Sequence, residues 1–85
     1  MATYTILYWQ EIPSQIKAED EFDDVTLPMD ARFMERIDRL AAARGLQSTD
    51  DYLAQWRWSE AQQRDGTASE VAHAVKLELE RAADW

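Results

Sequence analysis

The sequence predicts an α+β domain: an N-terminal β-hairpin, or three short strands if Val25-Thr26-Leu27 joins it, covered by three helices. Three observations carry the prediction. The first 19 residues alternate with period two and are rich in β-branched and aromatic side chains. After Pro28 the apolar residues recur with the helical period. Between the periodic segments stand helix caps and helix stops.

Tyr4 to Trp9 reads as a strand, with Tyr4, Ile6 and Tyr8 on one face and Trp9 on the other. Pro13 holds Ile12 extended. A second strand follows from Gln15 to Glu19, with Ile16 and Ala18 inward. The two pair through a loop around Glu11-Ile12-Pro13-Ser14. Glu19-Asp20-Glu21-Phe22-Asp23-Asp24 reads as an acidic solvated loop. Pro28 and Asp30 open the first helix and Gly45 closes it, with Phe33, Ile37, Leu40 and Ala41 as its core stripe. Ser48 caps a second helix that has Asp50 and Asp51 in its first turn and Tyr52, Leu53 and Trp56 inward. On that helix Trp58 points to the side opposite Trp56. A loop from Gln62 to Gly66 leads to a capping box at Thr67-Ala68-Ser69-Glu70. The third helix buries Val71, Val75, Leu79 and Ala82. This makes one domain over residues 1–85, with the hairpin and acidic loop in 1–27 and a three-helix part in 28–85.

A chain of 85 residues has room for one hydrophobic core, and four Trp, three Tyr and two Phe supply its bulk. There is no Cys, so disulfides, thiolate nucleophiles and zinc ribbons are excluded. The apolar run Ile6 to Trp9 is too short for a signal peptide or a membrane span, and the expected compartment is the cytoplasm. A net charge of −8 argues against nucleic acid and anionic lipid as partners.

Catalysis finds little to stand on. His73 is the only histidine, and it lies on the polar face of the third helix. The acidic stretch lacks the Asp-x-Asp-x-Asp-Gly order of a calcium loop, and two glycines cannot make a phosphate loop. No metal, cofactor or catalytic residue is expected, and the chain reads as a non-enzyme. The aromatics say more, because tryptophan is enriched at interfaces. Trp9, Arg57 and Trp58 form the candidate partner-binding set, for a partner that is another protein. The chain itself is expected to be a monomer or a weak homodimer.

Val25-Thr26-Leu27-Pro28, a helix, Gly45-Leu46-Gln47-Ser48 and another helix resemble the ribbon-helix-helix regulators over about 30 residues. That resemblance implies a dimeric DNA-binding protein, the alternative reading. No Lys or Arg lies between Lys17 and Arg32, where a ribbon reader needs them.

A resemblance over nearly the whole chain runs elsewhere. Tyr4-x-Ile6-x-Tyr8-Trp9, then Ile12-Pro13-x-Gln15-Ile16-x-Ala18, resembles the small bacterial domain family called "virulence factor". The likeness continues through Arg32-Phe33, Gly45-Leu46, Tyr52-Leu53, Trp56-Arg57-Trp58 and Gly66-x-x-x-Glu70-Val71-Ala72. The uniformly acidic Glu19 to Asp24 loop departs from that pattern. The resemblance implies a free-standing domain, or one fused behind helical repeats as in conserved virulence factor C proteins. It also implies an association with bacterial folate and methyl-transfer genes, which suits a small accessory subunit. The name describes a phenotype and implies no activity.

Overall fold

The computed structural model describes residues 1–46 and 49–83. Its centre is the predicted hairpin. β1 (Ala2–Trp9) and β2 (Ile12–Glu19) pair antiparallel, with Ile6 opposite Ile16 and Trp9 opposite Ile12. The turn is tighter than expected, at Gln10 and Glu11, so Ile12 and Pro13 already belong to β2. Pro13 has no N–H to give the ladder, and the register shifts beside it, as proline inside a sheet requires.

The third strand forms. β3 (Asp24–Pro28) pairs with β2, with Leu27 opposite Ile16 and Val25 opposite Ala18. α1 (Ala31–Ala43) follows, burying Phe33, Ile37 and Ala41. Gly45, in the left-handed region at φ +70°, ends it as predicted. α2 (Thr49–Leu53) is only five residues long, and Leu53 is exposed rather than inward. The cap assigned to Ser48 lies outside the described residues.

The predicted second helix does not reach the tryptophans. Trp56–Trp58 is a strand, β4, antiparallel to β1 with Trp56 opposite Trp9 and Trp58 opposite Leu7. The predicted loop from Gln62 also contains a strand, β5 (Gln62–Arg64), paired with the start of β1. Between them Ser59 bridges to Ile6 through its own N–H and through its hydroxyl, which accepts from Ile6 N at 2.9 Å. The physical reason is the free edge of β1. It offers unpaired N–H and C=O groups, and an aromatic pair at i and i+2 satisfies them better as a strand than as a helix end. The sheet order is therefore β3-β2-β1-β4, with β5 also on β1. The division at residue 28 does not hold, since residues 56–64 return to the sheet.

α3 (Ala68–Ala82) carries the predicted capping box. Glu70 N donates to Thr67 Oγ1 at 3.2 Å, and Thr67 N donates to Glu70 Oε1 at 3.0 Å. Val71 and Val75 are buried and Leu79 partly so, but Ala82 is exposed. α3 packs across β1, β2 and β3, and α1 packs on β2. One core joins Ile6, Trp9 and Ile16 to Phe33, Ile37 and Val71. A ribbon-helix-helix protein takes the partner of its strand from a second chain, whereas β3 is paired inside its own sheet.

The acidic loop is not simply solvated. Asp20 Oδ1 accepts from the N–H of Phe22 and Asp23, at 2.7 and 2.8 Å, while Oδ2 accepts from Ala68 N in the first turn of α3, at 2.7 Å. These three donors, with Ala68 the largest, hold its carboxyl below the ordinary aspartate range. A carboxyl depressed by folding adds stability that is fully present above its unfolded pKa, about 4, and is lost as pH falls through the folded one. The Asp20→Asn variant is therefore expected to melt below the wild type at neutral pH, with the gap narrowing as the solution is acidified below about pH 4. A gap that stays constant down to acid-unfolding conditions would contradict this role.

Candidate functional site

Sheet alternation and burial together divide the candidate partner residues among three places. Trp9 is fully buried, so it is core and no partner can reach it. Its indole Nε1 donates to the Tyr52 carbonyl at 3.0 Å, and its ring lies 5.6 Å from the Tyr52 ring, which meets Trp56 edge-on at 6.0 Å. Burial raises the Tyr52 hydroxyl pKa, with Asp38 adding to it. The expectation of an exposed Trp9 fails because the neighbourhood of Tyr52 closes over it.

Arg57 and Trp58 are both exposed, but adjacent strand residues point to opposite faces, so they do not form one patch. Arg57 turns to the helix side of the sheet. Its guanidinium lies 4.8 Å from the centroid of the Tyr8 ring, and Nη2 donates to the Gln10 carbonyl at 3.2 Å. Trp58 shares the other face with its cross-strand partner Leu7 and is 49% exposed. Farther along that face Thr5, Gln15, Lys17 and Thr26 are half-buried or exposed, whereas Trp9 and Ile12, at its other end, are buried beneath the Tyr52 region. Helices α1 and α3 pack on the sheet from one side, and on the other side the part from Trp58 to Lys17 and Thr26 faces solvent while the Trp9 end is covered.

The turn that joins the first two strands is braced by side chains from two later segments. Gln10 sits at φ +52°, a left-handed conformation that a non-glycine residue keeps only when its surroundings enforce it. Its backbone N–H donates to Gln55 O at 3.1 Å and its amide nitrogen to Gln55 Oε1 at 3.1 Å. Its side-chain oxygen accepts from Arg44 Nη1. The same guanidinium grips Glu11, with Nη2 at 2.8 Å from Oε1 and Nη1 at 3.2 Å from Oε2, and holds the Glu11 carboxyl below its ordinary range. Beside this turn is an open cleft of about 400 Å³, floored by Tyr8, Ile12, Pro13, Phe33 and Leu79, with Arg36 and Glu11 among its lining residues.

None of Tyr8, Gln10, Arg36 and Arg44 is marked in the sequence as a site. The pattern left one trace, arginines recurring at 36 and 44 on one side of a helix, which reads equally well as a solvated face. A second sign, a polar non-glycine residue in a two-residue turn, becomes visible only once the turn is placed.

His73 is exposed on α3, as its helical position predicts. Its Nδ1 lies 2.8 Å from the Ser69 carbonyl, an acceptor, so that nitrogen carries the proton and cannot act as base toward the neighbouring Ser69 hydroxyl. Among the described residues no three metal-ligating side chains cluster. No helix among them is long and apolar enough to cross a membrane.

A family model described as "Virulence factor" matches residues 7–84, nearly the whole chain. No curated protein and no solved structure matches it.

Proposed function

Because the chain belongs to the virulence factor family, whose name specifies no chemistry, we propose a function from its surface: a non-catalytic module that binds another protein, as an accessory subunit of a larger bacterial assembly. The observation that carries the reading is the solvent-facing side of the sheet with Trp58 on it, 49% exposed. A sheet face with an aromatic residue at its border, Leu7 beside it and polar side chains such as Thr5 and Gln15 farther in offers an apolar anchor with a polar surround. The β4 backbone beneath Trp58 is pinned to β1, so the indole is presented on a firm base. Such a face suits a protein surface better than a small molecule, which needs enclosure.

The test is capture of native partners from host extract on immobilised wild-type domain and on its Trp58→Ala variant, read by mass spectrometry. Proteins retained by the wild type and lost from the variant support the reading. An unchanged set of captured proteins rejects Trp58 as the docking residue.

Duplex DNA is the partner that this reading opposes. β3 carries Asp24 and no Lys or Arg, and the chain carries a net charge of −8. Fluorescence anisotropy at low salt is expected to find no sub-micromolar binding. Tight binding that collapses steeply with added salt would instead mean phosphate contacts and would revive the dimeric regulator.

A further inference from the structure

The sheet has a second border, far from Trp58, at β3. That strand pairs with β2 along one edge, and among the described residues no strand pairs with the other. Which of its groups face outward follows from the bonds at the two ends of the β2–β3 ladder. Met29 N donates to Ser14 O and Asp20 N to Asp23 O, both at 2.9 Å. An antiparallel ladder alternates, so Val25 and Leu27 direct their N–H and C=O to Ala18 and Ile16. Asp24, Thr26 and Pro28 direct theirs away from the sheet, and all three are exposed.

The segments outside the described residues adjoin Leu46 and Ala83, at the other end of the molecule. Arg44, two residues before Leu46, grips Glu11, and Ala83 lines the cleft beside that turn. Thr26 stands opposite Lys17, five residues along β2 from Ile12, or roughly 17 Å at about 3.3 Å per residue.

We propose that β3 pairs antiparallel with β3 of a second copy of this chain, about a two-fold axis at Thr26, so that one sheet runs through both molecules. Centred there, the strands overlap over all five residues. The two Thr26 residues exchange N–H···O=C bonds, and Asp24 N–H of each copy donates to Pro28 C=O of the other. Only Asp24 C=O is left without a donor, because proline has no N–H, and it lies at the end of the ribbon where water reaches it. On the solvent face Thr26 meets Thr26, a favourable cross-strand pair. On the helix face Val25 meets Leu27 of the other copy at the closer, non-hydrogen-bonded spacing. Both are partly buried and packed against the core, so the pairing covers apolar area that a border strand leaves open.

Charge and hydrogen bonding select this register. Centred on Val25, the strands overlap over three residues and the two Asp24 carboxylates become diagonal neighbours at about 7–8 Å. Centred on Asp24, they stand directly opposite. Centred on Leu27, Thr26 C=O faces proline and loses its donor. With Thr26 at the centre the two Asp24 lie four positions apart, roughly 14 Å, beyond the screening length of about 8 Å at physiological salt. The strand is thus its own complement, which favours a second copy over a foreign strand and closes a two-fold dimer. Natural edges are guarded by lysine and proline; β3 has no Lys, and its proline falls where the pairing tolerates it. Five residues of overlap bury less than a permanent interface does, so the dimer is expected only at high concentration. β4, with Trp58, is at the opposite border and stays open in the dimer, so the inference goes beyond the Trp58 reading and does not rest on it.

Sedimentation velocity from micromolar to near-millimolar concentration tests it on the wild type and on Thr26→Asp. The wild type is expected to pass from monomer to dimer. Thr26 is exposed, and an acid there faces Lys17 of its own chain, so the variant is expected to fold. Across the two-fold axis it sets two carboxylates directly opposite, and association is expected to weaken roughly fivefold or more. The register is read by cross-linking, in a chain that has no Cys of its own. Thr26→Cys places two thiols across a pair whose Cα atoms are about 5.5 Å apart, within disulfide reach. Lys17→Cys, on the same face but one strand in, leaves three strand spacings, roughly 14 Å. In oxidising buffer Thr26→Cys is expected to form covalent dimers about tenfold faster than Lys17→Cys. A wild type that stays monomeric throughout overturns the proposal, as does a Thr26→Asp variant that associates like the wild type. Equal cross-linking of the two cysteine variants overturns it too, because the contact would then lie elsewhere.

Discussion

Replacing Trp9 by alanine is expected to leave the domain largely unfolded in water at room temperature. The side chain is fully buried at the end of β1, where Ile12 and Trp56 flank it across the two neighbouring strands. Truncation opens a cavity between three strands and removes both the indole donor to Tyr52 O and the ring contact that holds the Tyr52 region to the sheet. Loss of a fully buried aromatic costs roughly 3–5 kcal/mol. A domain of this length has a total stability near the lower end of the usual 5–15 kcal/mol or below it. Trp56→Ala is the comparison. Trp56 is only half-buried and meets Tyr52 edge-on, so its loss belongs in the ordinary range of about 0.5–3 kcal/mol. Urea melts followed by far-ultraviolet circular dichroism measure both. A Trp9→Ala midpoint within error of the wild type would mean that Trp9 is not the keystone of this end of the core.

The order of these two tryptophans reverses what their surroundings in the sequence suggest, and the reason is general. Trp9 occupies the face of β1 opposite Tyr4, Ile6 and Tyr8, and a face is called solvent only if nothing later in the chain covers it. What covers Trp9 is Tyr52, 43 residues on, a non-local contact that no local period reports. The hairpin, α1 with its Gly45 stop, and α3 with its capping box were legible because each is decided within a few residues by alternation, periodicity or a cap. β4 and β5 were not legible, because a three-residue strand has too few positions to display a period. Trp56-Arg57-Trp58 fits a helix or a strand equally well on its own, and only the unpaired edge of β1 decides between them. The partner residues inherited that error. On a helix Trp58 opposes Trp56, whereas on β4 both side chains share a face and Arg57 takes the other. The bracing of Gln10 was likewise hidden, since its partners Arg44, Gln55 and Arg57 come from two later segments.

Trp58→Ala is expected to leave the free domain intact and to weaken capture of its protein partner by about 2 kcal/mol or more, which is roughly 30-fold in Kd. The two halves of that expectation have separate physical grounds. On the side of stability, Trp58 is half exposed at a sheet border, with Leu7 across the strand, and it makes none of the ring contacts that fix Trp9 and Trp56. Its truncation opens no closed cavity, so the cost to the free domain is expected to stay below about 1 kcal/mol. On the side of binding, a half-exposed indole already held by a paired backbone has area still to bury and little order left to lose. Arg57→Ala separates this docking role from bracing of the turn. It removes the cation–π contact with Tyr8 and the donor to Gln10 O on the other face of the sheet. Its effect is expected mainly in stability, on the order of 0.5–1 kcal/mol for the stacked cation, with partner affinity little changed. Urea melts of both variants, followed by titration calorimetry against the captured partner, measure the two quantities separately. If Trp58→Ala destabilises the free domain as severely as Trp9→Ala, Trp58 is structural; if Arg57→Ala alone weakens binding, the partner docks on the helix side of the sheet.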